Sequence, residues 1–146
     1  MAEQLEAVVE LLNQKVKFKG IADSKDPIII DYIPPVGDGE GYTSLELLLL
    51  SFSSCSATSV LSLLRKMKKN ITGFKVNAKG IRREIHPLSF EKINLEFIIN
   101  SGDTTETDVN KAIQLSEETY CPVWAMLKNN VEINTAYHII EQNHLS

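Results

Sequence analysis

The chain has 146 residues, 43% hydrophobic and 23% charged, an ordinary globular balance that suits a single domain over residues 1–146. Its net charge of −4 argues against a nucleic-acid partner, because phosphate binding wants a basic face. Met1 to Glu6 carries acids where a signal peptide carries bases, and the segment from Leu45 to Leu64 holds Glu46, Thr58 and six serines, too polar for a spanning helix. The expectation is a cytoplasmic protein with no membrane partner, whose two cysteines sit in a reducing compartment.

The elements follow in chain order. Ala7 to Leu12 is apolar-rich and reads as a strand, Asn13-Gln14 as a turn, and Lys15 to Lys19 as a second strand with Val16 and Phe18 on one face. Ile28 to Ile30 is a third strand, closed by Pro34-Pro35. Residues 34–42, with Gly37, Gly39 and Gly41, form a loop. A helix is expected from Leu45 to Lys69. It opens on a capping box of Thr43 and Glu46, is apolar or small almost all round, and ends on the cations Arg65 to Lys69, with Asn70 and Gly73 closing it. Such a helix is expected to be buried on most sides.

Two alternating strands come next, around Phe74 to Ala78 and Ile93 to Ile99, with a turn near His86-Pro87. A second helix runs from Thr105 to Tyr120, with Val109, Ala112, Ile113, Ser116 and Tyr120 on one stripe. Cys121-Pro122 interrupts it, since proline disfavours helical geometry in the residue before it. A further turn spans Val123 to Leu127, and Val131 to Ile140 is a last strand. The order predicts an α+β fold, with helices packed on a mainly antiparallel sheet.

Chemistry narrows to Cys55 and Cys121. Cys55 lies in the middle of the long helix, where a free cysteine also packs as a small hydrophobe. It sits about 18 Å beyond the cap at 1.5 Å per residue, too far for the helix dipole to favour a thiolate. Cys121, with Pro122 at a first helical position, is placed near an N-cap whose unpaired amides favour a thiolate. Two thiols suffice for a dithiol–disulfide cycle if their Cα atoms approach within about 7 Å. His86, His138 and His144 lack metal-ligand spacing, so no metal and no cofactor are expected. The helix serines are expected to bond backbone carbonyls one turn back.

Ser44 to Leu49 followed by Cys55, Lys66-Met67-Lys68, His86-Pro87 ahead of the Phe90-to-Phe97 strand, and Tyr120-Cys121-Pro122-Val123 together resemble the OsmC-like group. That group belongs to the osmotically inducible and organic hydroperoxide resistance superfamily, and the resemblance runs from about Ala7 to Ile140. It implies an OsmC-like fold, antiparallel sheets on two core helices in an intertwined homodimer. It also implies that Cys55 attacks a hydroperoxide, that Cys121 resolves it as a disulfide, and that a dithiol reductant restores the pair. The family's arginine and glutamate do not align: no arginine precedes Arg65, and Leu45 stands ten residues before Cys55. Glu46 is nine before, about 180° round an ideal helix. Glu46 and Lys17 are the candidate auxiliary residues, with Lys19, Arg82 and Arg83 as other cations.

The leading functional expectation is a thiol-dependent peroxidase for small organic hydroperoxides, in an apolar site built from the Leu47-to-Phe52 region and Trp124. One alternative is a non-catalytic protein that holds an acyl or aromatic ligand on the same fold, with structural cysteines. A third is that both cysteines are structural and the fold serves some other role.

Overall fold

The computed structural model describes residues 3–141, which divide after Leu48 into two compact units. The first is an antiparallel sheet in the order β1 (Ala7–Leu11), β2 (Phe18–Ala22), β3 (Ile28–Ile30). β2 starts three residues later than its alternation suggested. The Asn13 side-chain oxygen accepts from the amides of Lys15 (2.9 Å) and Lys17 (3.1 Å), which wraps residues 13–16 into the hairpin bend. Leu12 N–H then closes the bend on the Lys17 carbonyl.

After β3, the loop is organised by Asp31, a buried residue that sequence reading passed over. Its carboxylate accepts from the amides of Tyr32, Asp38 and Glu40. Burial pushes its carboxyl up, but these three amides and the Lys17 charge outweigh burial and hold it below the usual carboxylate range.

Helix α1 (Ser44–Lys66) opens with the expected capping box: Thr43 N–H donates to Glu46 and Glu46 N–H donates to the Thr43 hydroxyl. It ends three residues before Lys69. Lys68 takes a left-handed φ of 67°, Lys69 N–H donates to the Leu64 carbonyl and Lys68 N–H to that of Arg65, the hydrogen bonds of a Schellman motif. Burial of α1 is narrower than expected. Phe52, Ser56, Val60 and Leu64, four residues apart, are buried, whereas Leu50 is 51% exposed. The chain's own elements cover one stripe of an apolar cylinder.

The second unit is built on a sheet in the order β4 (Ile71–Arg82), β5 (Phe90–Ser101), β6 (Glu132–Ile140). β4 and β5 are antiparallel, but β6 runs parallel to β5, against the expected antiparallel arrangement. A parallel neighbour needs a long crossover, and the helical segment between β5 and β6 supplies it. Central strand β5 buries Ile93, Leu95, Phe97 and Ile99, the alternation its sequence predicts.

The crossover holds α2 (Glu106–Leu115) and α3 (Pro122–Leu127), joined by a π-helical turn over Ser116–Tyr120. α2 has its own capping box, Thr105 with Asp108, and buries Val109, Ala112 and Ile113. The regular helix stops at Leu115, not Tyr120. The wider i→i+5 turn, closed by Cys121 N–H on the Ser116 carbonyl, breaks the 3.6-residue stripe. Ser116 stays buried, but Tyr120 swings out to 54% exposure. Phe52 of α1 meets Trp124 of α3 edge to face, with centroids 5.5 Å apart, which anchors the two thiol-bearing segments to one core.

Candidate active site

Cys55 follows directly from the placement of α1. It precedes buried Ser56 by one position, so its side chain stands at the edge of the buried stripe and is half-exposed. Cys121 is the N-cap of α3, in extended geometry, with Pro122 at the first helical position. Residues 66 apart in sequence therefore meet: Cys121 Sγ donates to Cys55 Sγ at 2.9 Å. Both thiols are free, and that separation lies between van der Waals contact and the ~2.05 Å of a disulfide bond.

The two thiols differ in access. Cys121 is 2% exposed. Trp124 N–H donates to its sulfur at 3.4 Å, and the Ser56 hydroxyl lies 3.8 Å away. Its N-cap position is as expected; its protonation is not. Burial, and then the bond to Cys55, push the Cys121 thiol above its ordinary range, outweighing the Trp124 amide and Ser56. Cys121 is held as a neutral thiol behind Cys55.

Polar groups beneath the pair tie α1 to the π-helical turn. Ser59 and Ser116 share a short 2.5 Å hydroxyl contact, and Ser59 also donates to the Cys55 carbonyl. Back-bonding of Ser53, Thr58 and Ser59 one turn up α1 matches expectation. The cross-links from Ser56 and Ser59 were not legible, because nothing local pairs them with Cys121 or Ser116.

A groove of about 490 Å³ opens on Cys55. It runs towards the C-terminus of α1, past Ser59 and Leu63 to Lys66, and its other wall is Tyr120 and Pro122. Leu47 to Phe52 and Trp124, the expected wall, do not line it; Phe52 and Trp124 are buried in the core instead.

The matching sequence profile is that of the OsmC-like protein family, over residues 37–136. The chain belongs to the OsmC-like family. It is 35% identical over 96 residues to protein YhfA of Escherichia coli strain K12, covering 66% of this chain and 72% of that one. A hypothetical protein from Aquifex aeolicus VF5, 30% identical, superposes with a TM-score of 0.85 over 97% of this chain and 100% of its own. An organic hydroperoxide resistance protein OsmC from Legionella pneumophila, 10% identical, gives a TM-score of 0.70 over 94% and 98%. That last likeness shows the fold alone: α+β and OsmC-like, with two small sheets and helices.

The auxiliary residues of this OsmC-like chain are engaged locally. Glu46 is spent on the capping box, and Lys17 pairs with Glu40 at 2.5 Å. Lys19 pairs with Glu10, and the Arg82 guanidinium donates to the Leu88 carbonyl. His138 pairs with Glu96, His86 lies in an exposed bend, and His144 is outside the described residues. The carboxylates of Asp31, Asp38 and Glu40 cluster, but backbone amides, Lys15 and Lys17 satisfy them.

Proposed function

We propose that this OsmC-like protein is a thiol-dependent peroxidase for organic hydroperoxides. The supporting observation is the asymmetry of the thiol pair: half-exposed Cys55 faces an open groove, with buried Cys121 2.9 Å behind it. The difference in access supports one division of roles. The Cys55 thiolate attacks the distal peroxide oxygen, the O–O bond breaks, and the alkoxide takes a proton to leave as alcohol. Cys55 becomes a sulfenic acid. The Cys121 thiol then attacks Cys55 sulfur, forming the disulfide and expelling water. An external dithiol returns both cysteines to thiols and is itself oxidised to a disulfide.

Trapping separates the roles. With Cys121→Ser, cumene hydroperoxide should leave a dimedone-reactive sulfenic acid on Cys55. With Cys55→Ser, Cys121 should stay unmodified. Equal labelling of both sites would reject the assignment. Free thiols that persist in the unaltered protein under excess peroxide would leave the ligand-binding reading in its place.

The same reading includes a homodimer, supported by the apolar surface of α1 that one chain leaves uncovered, Leu50 included. Light scattering should return twice the chain mass of 16.3 kDa, and a monomer at micromolar concentration would contradict it.

A further inference from the structure

The hydroxyls of Ser53, Thr58 and Ser59 bond carbonyls one turn back in α1, and that of Ser54 bonds the Ser51 carbonyl. Ser56 is the exception. It is fully buried in the stripe of Phe52, Val60 and Leu64, and among the described residues its hydroxyl meets one partner, Cys121 Sγ at 3.8 Å. A hydroxyl placed in an apolar stripe costs desolvation that no backbone carbonyl offsets here. The proton count fixes the direction of its contact. Cys121 has one S–H, which goes to Cys55 Sγ at 2.9 Å, so the Ser56 O–H donates to Cys121. The Trp124 N–H donates to the same sulfur at 3.4 Å. Two donors are therefore aimed at a thiol that is neutral at rest.

Burial, the bond to Cys55 and the charge of a Cys55 thiolate keep the proton on Cys121. Two of these three influences come from Cys55. They end when the Cys55 sulfur is oxidised, because a sulfenic or disulfide sulfur is neutral, whereas both donors stay. Among the described residues no other titratable group faces Cys121: α3 carries none, and Glu117, Glu118 and Tyr120 of the π-helical turn are exposed.

We propose that the Ser56 hydroxyl and the Trp124 amide receive the negative charge of Cys121 in the second half of the cycle, so that Cys121 becomes a nucleophile only after Cys55 has been oxidised. Ser56 is a positioning residue that acts through Cys121. The Cys121 thiol loses its proton and its sulfur attacks the Cys55 sulfur. The S–S bond forms as the group on Cys55 departs with its bonding pair; from a sulfenic acid that group is hydroxide, which takes up the proton as water. This deepens the peroxidase reading and, for a peroxide as oxidant, rests on it.

One equivalent of Ellman's reagent on the reduced full-length protein tests the step without peroxide. Cys55 displaces a first thionitrobenzoate, and Cys121 attacks the mixed disulfide to displace the second; absorbance follows both. Ser56→Ala should slow the second release relative to the first about tenfold at neutral pH and raise its pH midpoint by about one unit. Val60→Ala, which loosens the same buried stripe, should leave the midpoint in place. A Ser56→Ala profile that superimposes on that of the unaltered protein, an equal shift in Val60→Ala, or no second release from the unaltered protein would overturn the proposal. Cumene hydroperoxide separates the two readings. A Ser56-dependent second release without peroxide consumption would keep the role of Ser56 and remove the peroxidase. Peroxide consumption with a second release indifferent to Ser56 would do the reverse.

Discussion

At the scale of single residues, position decides what two chemically identical thiols do. An N-cap amide stabilises a thiolate, and that contact is present at Cys121. It loses to desolvation, because the sulfur is enclosed by α1 and α3. The sequence around Cys121-Pro122 announces the cap but not the enclosure, so the burial that raises the Cys121 pKa was not legible locally. A raised folded-state pKa has a consequence for stability. The folded chain keeps its Cys121 proton at a pH where the unfolded chain, with an ordinary thiol near pH 8.5, has begun to lose it. Its contribution is therefore complete below about pH 8.5 and is lost as pH rises through the folded value. Cys121→Ala should flatten the alkaline fall of the denaturation midpoint between pH 8 and pH 10. An unchanged pH slope would mean that Cys121 does not titrate with folding.

Elements show where local rules hold and where they give way. Both capping boxes, Thr43 with Glu46 and Thr105 with Asp108, fix their helix starts, and each is a local signal because its partners are three residues apart. Helix ends were less legible. The π-helical turn at Ser116–Tyr120 has no local signature in its residues, yet it carries Tyr120 into the groove wall and Cys121 under Cys55. The direction of β6 was hidden as well, since alternation looks the same in parallel and antiparallel strands. The Schellman end of α1 gives an element-scale prediction. Lys68 occupies a left-handed position that glycine takes without a Cβ clash. Lys68→Gly should stabilise the protein by about 1 kcal/mol, read as a higher denaturation midpoint in urea. A lower midpoint would show that the Lys68 side chain contributes more than its backbone conformation costs.

For the whole molecule, the family was legible because the motifs around Cys55 and Cys121 are spread over most of the chain, and the profile match over residues 37–136 spans both. The α+β class was legible from the element order. The groove was not, because its walls come from the C-terminal half of α1 and from Tyr120 and Pro122, which only the folded chain makes neighbours. Nor was the identity of the residues that would activate Cys55: Glu46 and Lys17 are spent on local contacts within the first unit. Whether the two cysteines form one redox unit is decided by titrating fully reduced protein with cumene hydroperoxide and counting free thiols, with mass mapping of the product. One equivalent of peroxide should remove both thiols of a chain and leave a Cys55–Cys121 disulfide within it. Thiols that survive excess peroxide, or a linkage that joins any other pair, would contradict it.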